Sequence, residues 1–376
     1  MSEIKETRPF VPWEQMNSFM IEVFKGYGVP EEDAAICADV LLESDRRGIE
    51  SHGCNRFKPI YIDRIVKGTL LPVTNIEIIR ETPTTVVMDA HDGMGMVASH
   101  HMMKKLIEKA KQYGMAGGAI RNSTHYGIAG YWSDMAAKEG LICVTGTNAR
   151  PSIAPTFGVE NMLVTNPLTF SLPTDEEFNF CLDCATSIVQ RGRIEYYARS
   201  GKPTPAGTVI SENGEALTDS EEILSALVNG TAALAPLGGI GEELAGYKGY
   251  GYATVVEILS AALSGGQFMK SLSGVGSDGK PAMYHLGHFF FVVDPEAFMG
   301  RDEFKKIAGD ICRALRASKK APGEDRIYTA GEKEYEVWKF RKDKGVPVGE
   351  GVQKDIISIR DQLGLPFTFD FEKNQG

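Results

Sequence analysis

A short glycine motif constrains the fold of this chain more than any other feature. Gly93, Gly95 and Ala98 have the spacing G-x-G-x-x-A, follow a strand-like run at 84–89, and open a helix predicted over 96–113. A strand, such a turn and a helix are typical of the doubly wound dinucleotide-binding fold, whose glycines let the backbone approach a pyrophosphate. In that fold an acidic residue at the end of the next strand binds the ribose.

The next strand does not support that fold. It is predicted over 117–120, and the residues at its end, Ile120, Arg121 and Asn122, include no acid for a ribose. The surrounding elements also do not alternate as a clean series of strands and helices. We therefore interpret the motif as a glycine-rich turn before a helix, in a mixed α/β chain.

Hydrophobic periodicity divides the chain into a helical part, to about residue 70, and a mixed remainder. Helices are predicted over 13–27, 31–43, 56–66, 96–113, 128–139, 188–200, 252–263, 302–317, 331–344 and 352–363. Strands are predicted over 76–80, 84–89, 117–120, 141–145, 168–172, 178–183 and 287–293. The long stretch at 148–167 is too apolar for a linker, which favours a functional loop.

Two of the seven histidines stand among polar residues and beside glycine. His52 lies between Ser51 and Gly53, and Arg56 follows about one helical turn later. His125 has a similar setting after a strand end. Histidine exchanges protons near neutral pH, and a guanidinium fork suits a carboxylate. The pattern predicts an acid–base site for an anionic substrate, whereas each histidine alone is more often an ordinary surface or capping residue.

Two further segments have chemistry that suits a phosphate. A predicted strand ends at Asp183, and small and hydroxyl residues lead into the helix predicted from 188. The free N–H groups of a helix N-terminus can hold a pyrophosphate, but Thr186 or Ser187 would serve equally as an ordinary N-cap. Lys248 stands among glycines and can reach a phosphate or ribose, although a flexible turn explains the same residues.

Charge and composition limit the partners and the location. The net charge is −10 and basic residues form runs no longer than pairs, which argues against nucleic acid and a basic membrane-binding face. The N-terminus lacks an apolar signal region, and the apolar helix at 252–263 is too short to span a bilayer. The six cysteines are scattered and the C-x-x-C at Cys181 and Cys184 is isolated, so we expect no metal site and a cytoplasmic location.

Taken together, the motifs resemble those of the non-Rossmann malate/L-lactate dehydrogenase family, whose relatives include ureidoglycolate dehydrogenase, sulfolactate dehydrogenase and piperideine-2-carboxylate reductase. The match spans nearly the whole chain in order, and no single motif carries it alone. The residues that carry it are Ser51, His52, Gly53, Arg56, Asn122, Ser123, His125, Tyr126, Gly127, Thr165, Asn166, Pro167, Asp183, Ala185, Thr186, Ser187, Lys248, Gly249, Tyr250, Gly251, Pro322, Gly323 and Glu324.

The resemblance implies an α/β (α+β) fold with two domains. One is a nicotinamide-binding domain on a mostly antiparallel sheet, at about 121–299, and the other is a mixed domain with the N-terminal helices, at 1–120 with 300–376. It also implies a homodimer and a site for NAD, with NADP as an alternative. The positions that match the family's cofactor contacts are Asp183, Cys184, Ala185, Thr186, Ser187, Lys248, Gly287, His288, Phe289, Pro322, Gly323 and Glu324.

The function that the resemblance implies is hydride transfer between NAD(P) and a small 2-hydroxy acid, with malate and oxaloacetate favoured. L-Lactate, ureidoglycolate or sulfolactate dehydrogenase, a cyclic imine reductase, and a non-enzymatic metabolite-binding protein on the same fold are the alternatives. Substrate contacts are expected from Ser51, Arg56, Thr165 and Asn166. Family members differ over which histidine moves the proton. We favour His52 slightly over His125, because Arg56 could place a carboxylate near it.

Overall fold

The computed structural model describes residues 6–374 and has a seven-stranded sheet at its centre. The strands are β1 (Phe10–Val11), β2 (Glu77–Glu81), β3 (Thr85–Asp89), β4 (Met115–Ser123), β5 (Ile142–Thr147), β6 (Leu168–Leu172), β7 (Phe180–Cys184), β8 (Val209–Ser211), β9 (Ala232–Leu234), β10 (Leu286–Val293) and β11 (Val346–Pro347). The large sheet has the order β2-β3-β4-β10-β5-β6-β7, while β1 pairs with β11 and β8 with β9.

The helices lie between and around these strands. They are α1 (Trp13–Gly26), α2 (Glu31–Arg46), α3 (Cys54–Arg56), α4 (Asp63–Val66), α5 (Gly95–Tyr113), α6 (Ala129–Lys138), α7 (Arg191–Arg199), α8 (Ser220–Asn229), α9 (Gly246–Ala262), α10 (Arg301–Ala317), α11 (Glu332–Arg341) and α12 (Glu350–Leu363). A π-helical segment, Phe57–Ile62, joins α3 to α4, and short 3-10 turns lie at Glu50–His52, Met269–Leu272, Pro295–Ala297 and Asp370–Asn374.

Strand β10 occupies the centre of the sheet because its sequence is almost continuously apolar and nearly all of it is buried. It runs antiparallel to both neighbours, and His288 lies opposite Ile120 of β4 on one side and Thr147 of β5 on the other. Among the pairings of this sheet in residues 6–374, β3 with β4 is the parallel one. The prediction of a mostly antiparallel sheet is confirmed.

Two helices of the N-terminal part begin where the sequence predicts. α1 follows Pro12 and α2 follows Pro30, and both carry acidic residues in the first turn, where a negative charge is favourable. Their buried faces join α5, α6 and α12 in the largest hydrophobic cluster, which includes Phe19 and Phe24. The predicted third helix, 56–66, is present as the helical run from α3 through the π-helical segment to α4.

The predicted start of the helix after β7 is wrong. The helix predicted from 188 begins at Arg191, so residues 183–187 do not form a helix N-terminus. The hydroxyl of Thr186 instead donates to the carbonyl oxygens of Thr165 and Asn166, at 3.1 and 3.0 Å. These contacts fix the segment after β7 against the long loop, and the helix starts only once they end.

The glycine-rich segment around Lys248 is helical, which corrects the expectation of a turn before the helix. α9 begins at Gly246, six residues earlier than predicted, and contains Lys248 in its first turn. A Cβ at Gly249 would lie 2.2 Å from the carbonyl oxygen of Leu237. This glycine therefore permits close backbone packing against the helix.

The reason that position 95 requires glycine also differs from the one expected for a turn. It is the first residue of α5, it does not have a positive φ, and its N–H donates to the Thr124 hydroxyl at 3.0 Å. A Cβ on Gly95 would lie 2.2 Å from the carbonyl oxygen of Thr124. The glycine is needed because the helix start packs directly on the end of β4.

A second, smaller hydrophobic cluster packs the long loop at 148–167 against helices and strands that follow it in the chain. Ile153 and Leu163 of the loop meet Ile194, Val209 and Ala253 there.

The division into one domain at about 121–299 and another at 1–120 with 300–376 stays a prediction. In the described part of the chain, no helix is both long and apolar enough to cross a bilayer.

Candidate active site

The two singled-out histidines meet in one cavity of about 260 Å³. It is lined by Ile49, Ser51, His52, His125, Tyr126, Gly127, Ile128, Ala129, Thr147, Asn148, Ala149, Thr165, Pro167, Asp183, Ala185, Gln190, Leu286 and Glu334. The structure therefore brings Ser51, His52, His125, Thr165, Asp183 and Ala185, all predicted site residues, to one place. They come from four separate stretches of the chain, which only the fold brings together.

The two imidazole rings face each other across this cavity. Their centroids lie 5.6 Å apart with 20° between the ring planes. The Tyr61 hydroxyl lies 2.6 Å from Nδ1 of His125, and the N–H of Gly127 donates to the same atom at 3.2 Å. Because the amide can only donate, Nδ1 must be the unprotonated nitrogen, and Tyr61 donates as well. The neutral His125 ring therefore carries its hydrogen on Nε2.

The surroundings keep both rings neutral. Burial lowers the pKa of His125 well below its ordinary value, and the nearby His52, Arg64 and Arg56 lower it further. Burial, with the positive charge of Arg56, lowers the pKa of His52 to about 4. At neutral pH the site thus offers one imidazole N–H donor and a second neutral imidazole that can accept a proton.

A buried acid positions the turn that carries His52. The Oδ2 atom of Asp45 accepts a hydrogen bond from the Cys54 N–H at 2.8 Å. A Cβ at Gly53 would lie 2.2 Å from the Asp45 carboxylate, so only glycine fits between the histidine and the helical run that begins at Cys54. Burial raises the pKa of Asp45 to about 7. The glycine next to His52 is thus explained by close approach to this carboxyl group.

Arg56 stands beside the cavity and does not line its wall. Its Nε donates to the carbonyl oxygen of Ser51 at 2.7 Å, and the Ser51 hydroxyl lies 2.9 Å from Nδ1 of His52. This arrangement holds the arginine next to the histidine, as the spacing predicts, and leaves the rest of the exposed guanidinium free to bind an anion.

Polar residues behind the cavity connect it to the central strand. His288 is fully buried, with Nδ1 2.7 Å from the Thr147 hydroxyl and Nε2 2.8 Å from the Ser123 hydroxyl. Its ring stacks on Tyr126 with centroids 4.4 Å apart. The Gly287 N–H donates to the Asn148 side chain at 2.7 Å. His288 and Gly287 therefore hold residues of the cavity wall in place. The next residue of the strand, Phe289, is buried as well.

Other predicted contacts also lie behind the wall. Asn166 is buried, and its side chain accepts from the Val164 N–H at 2.6 Å and donates to Glu257 at 2.8 Å. The Thr186 hydroxyl donates to the carbonyl oxygens of Thr165 and Asn166 in the long loop. The Ser187 hydroxyl is buried without a hydrogen-bond partner in residues 6–374. Cys184 is exposed outside the cavity.

Asp183 links the cavity to the start of a helix. Its carboxylate accepts from the Gly130 N–H at 2.7 Å and from the Thr169 hydroxyl at 2.9 Å. Gly130 lies in the first turn of α6, where a negative charge is stabilised by the helix dipole. Burial nevertheless raises the pKa of Asp183 above its ordinary value.

A larger cavity of about 570 Å³ adjoins the histidine cavity. Ile49, Ile128, Asp183 and Glu334 line both of them. The remaining predicted cofactor contacts, Lys248, Pro322, Gly323 and Glu324, line neither and are exposed. The structure thus gathers the predicted residues around β7 and leaves these four on the surface.

Sequence reasoning missed several residues of the site. Tyr61 is the clearest case, because its hydroxyl orients His125 from 64 positions away. Tyr61 occupies the same helical run as Arg56, but nothing local distinguishes it from an ordinary core tyrosine. Thr147 and Asn148, which end β5 and follow it, are also wall residues that no motif singled out.

Comparisons with known proteins agree over nearly the full length of the chain. A family model described as malate/L-lactate dehydrogenase matches residues 11–357. The chain is 41% identical to the malate dehydrogenase of Pyrococcus horikoshii, covering 94% of this chain and 96% of that protein. It is 34% identical to the L-sulfolactate dehydrogenase of Methanocaldococcus jannaschii, again covering 94% and 96%. The crystal structure of malate dehydrogenase from Entamoeba histolytica matches with a TM-score of 0.92 at 43% identity, covering 96% of this chain and 100% of that one.

Proposed function

Because the chain belongs to the malate/L-lactate dehydrogenase family, we propose that it transfers a hydride between a nicotinamide cofactor and a small 2-hydroxy acid, with malate and oxaloacetate favoured. Membership confirms the resemblance seen in the sequence and makes the chain a dehydrogenase acting on a CH–OH group. The similarity to malate dehydrogenases favours malate over L-lactate, ureidoglycolate, sulfolactate and cyclic imines. The observation that carries the proposal is the facing pair of His52 and His125 beside Arg56.

The two histidines have different parts in this proposal. The nicotinamide, when bound, supplies or accepts the hydride. His125 donates a hydrogen bond from Nε2 to the reacting oxygen of the substrate, which polarises a carbonyl or orients a hydroxyl. His52 takes the hydroxyl proton during oxidation and returns it during reduction. A carboxylate held by Arg56 opposes the positive charge of that arginine, and so raises the pKa of His52 from about 4 towards the working pH.

The adjoining cavity suits the rest of the cofactor. Its walls combine apolar and aromatic side chains, such as Leu182, Tyr328 and Trp338, with polar groups. Asp183 and Ala185 line the histidine cavity and would hold the nicotinamide end of the cofactor there, and Asp183 lines the larger cavity as well. We therefore infer that the cofactor extends from one cavity into the other past Asp183.

NAD is the cofactor that the charges of the larger cavity favour. Its carboxylates, Glu43, Asp134, Glu176, Glu177, Asp183 and Glu334, outnumber its cations, Arg47, Lys138 and Lys333. An acidic wall accepts hydrogen bonds from a ribose diol and repels an extra 2′-phosphate. A lower Kd for NADH than for NADPH in a fluorescence titration supports this choice, and a lower Kd for NADPH overturns it.

A substrate panel tests the reaction. Oxidation of malate, L-lactate, ureidoglycolate and sulfolactate is followed by the appearance of reduced cofactor, and a cyclic imine is offered in the reverse direction. We expect the highest kcat/KM with malate or oxaloacetate. Cofactor binding without turnover of any member of the panel favours the metabolite-binding alternative, since a fold does not by itself determine an activity.

Substitution of each histidine separates their roles. A positioned acid or base typically contributes ~10²- to 10⁴-fold to the rate. We expect His52→Gln to lose activity on this scale together with one limb of the pH–rate profile. His125→Gln is expected to lose rate while it keeps that limb. The exposed His91, whose partner is Glu77, provides the matched control His91→Gln. If the limb disappears in the His125 variant and stays in the His52 variant, the roles are exchanged.

We also propose a cytoplasmic homodimer. Ile307, Ile311 and Leu315 form an exposed apolar stripe along α10 at helical spacing, which a second copy would bury. The six cysteines are all unpaired, which fits a reducing compartment. Sedimentation should give a dimer that Ile311→Lys weakens. A wild-type monomer at micromolar concentration contradicts the dimer.

A further inference from the structure

Arg64 is a cation near the histidine cavity to which no role has yet been given. It lies in α4, three residues after Tyr61, so the two side chains share one face of the helical run. Its guanidinium carbon lies 3.9 Å above the ring centroid of Tyr284. Tyr284 is two residues before Leu286, which lines the cavity. The charged end of Arg64 is thus near the hydrogen bond between Tyr61 and His125, and its positive charge lowers the pKa of His125.

Arg64 belongs to a group of three arginines without a counter-ion. Burial disfavours the charged form of Arg64 and lowers its pKa, and the positive charges of Arg56 and Arg150 lower it further. None of the three arginines forms an ion pair within 4.0 Å in residues 6–374. A partly buried cation that faces like charges is costly unless an anion binds there.

The three arginines lie next to wall residues of the same cavity, and none of them is itself a lining residue. Arg56 follows His52 by four residues, Arg150 follows the wall residue Ala149, and Arg64 rests on Tyr284 as described. Arg56 is already suited to the carboxylate on the reacting carbon. The additional positive charge therefore exceeds what a substrate with one carboxylate can neutralise.

We propose that Arg64 binds the second, distal carboxylate of the substrate and thereby selects dicarboxylic 2-hydroxy acids over monocarboxylic ones. The inference rests on the proposed function, since Arg56 and the histidines define the other end of the substrate. A planar guanidinium fork matches a carboxylate in two parallel hydrogen bonds. A substrate that ends in a methyl group leaves Arg64 uncompensated, and a distal sulfonate presents the same charge with a tetrahedral geometry.

The test compares two substrates in two variants. In Arg64→Gln, kcat/KM for malate should fall about 10- to 100-fold, mainly through KM, because charge-assisted hydrogen bonds to the substrate are lost. The value for L-lactate should change by less than about threefold, so the ratio of the two falls. Arg80→Gln removes an arginine from the exposed strand β2 and should change neither value. An equal loss for both substrates, or no loss for malate, overturns the proposal.

A binding measurement keeps this inference separate from the proposed function. NADH and malate are both reduced, so they do not react, and their joint binding raises the melting temperature. With NADH present, malate should raise it more than L-lactate in the wild-type chain, and the difference should vanish in Arg64→Gln. If malate is not turned over but this difference is found, the proposed reaction fails and the dicarboxylate site stands. If malate and L-lactate give equal shifts, the dicarboxylate site is refuted even in an active enzyme. A larger shift with sulfolactate than with malate overturns the choice of a carboxylate.

Discussion

Removal of one hydroxyl group, in Tyr61→Phe, tests how His125 is held in its working form. The wild-type ring accepts hydrogen bonds at Nδ1 from Tyr61 at 2.6 Å and from the Gly127 N–H at 3.2 Å. The variant keeps the longer bond alone. The tautomer with hydrogen on Nδ1 then becomes more accessible, and in that tautomer Nε2 can no longer donate to the substrate.

The expected loss is moderate. A neutral hydrogen bond contributes about 0.5–1.5 kcal/mol net, which corresponds to a roughly threefold to tenfold lower kcat if the whole effect acts on the rate. The pKa of His125 should rise, because Tyr61 donates only to the unprotonated Nδ1. It should stay below its ordinary value, since burial and the charges of Arg64 and Arg56 are unchanged.

Steady-state kinetics and nitrogen NMR together provide the assay. We expect a lower kcat for oxaloacetate reduction, with the ¹⁵N shifts of His125 moving away from those of a pure Nε2–H tautomer. Tyr131→Phe is the matched control, since its hydroxyl donates a bond of the same 2.6 Å length to Asp39 and does not line the histidine cavity. An unchanged tautomer with normal kcat in Tyr61→Phe refutes the orienting role, and so does an equal loss of kcat in the control.

Three further predictions follow from contacts outside the histidine pair. Gly95→Ala should lower the free energy of unfolding by about 1–3 kcal/mol with little change in cofactor Kd, because its Cβ would meet the Thr124 carbonyl at 2.2 Å; a selective loss of cofactor affinity in a titration would revive the doubly wound interpretation. Asp45 has a pKa of about 7 when folded, above its unfolded value of 3.8, so its contribution to stability is present at low pH and is lost as pH rises towards 7. Asp45→Asn keeps an acceptor for the Cys54 N–H and should gain stability relative to wild type by roughly 3 kcal/mol between pH 5 and pH 8 in denaturant titrations, and parallel pH profiles would contradict this. Lys248→Ala should reduce the rise in melting temperature caused by NADH if the exposed lysine contacts the cofactor, whereas an unchanged rise removes it from the site.

Elements with strong local signals were predictable from the sequence. The prediction for α1 was 13–27 against the observed Trp13–Gly26, and for β10 it was 287–293 against Leu286–Val293. In both cases the evidence lies within the element: helical spacing after Pro12 in the first, and a continuous apolar run in the second. Such patterns depend on few neighbours, so they do not need the rest of the fold.

The start of the helix predicted from 188 was wrong because the contacts that decide it are distant in sequence. Thr186 has a hydroxyl that would suit an N-cap, but the carbonyls of Thr165 and Asn166, about 20 residues earlier, bind it instead. Local reasoning cannot weigh an N-cap against a tertiary hydrogen bond of similar strength. The same limit explains why Tyr61 was missed while His125 was singled out.

Two glycines show how one sequence signal can have a cause that only the fold reveals. Glycine can be required because the backbone has a positive φ, which is a property of one residue and can be predicted from a local turn pattern. It can also be required because another segment packs closely against it, and that segment is not visible in the local sequence. Gly53 and Gly95 both have negative φ, and each is required by a neighbour from elsewhere, the Asp45 carboxylate and the Thr124 carbonyl. For Gly95 this explains why the spacing G-x-G-x-x-A occurs in a chain whose order of strands and helices does not support a doubly wound dinucleotide-binding fold. For Gly53 it means that His52 is held by a buried carboxyl group, so the geometry of the proton-transferring residue depends on a side chain that no active-site motif contains.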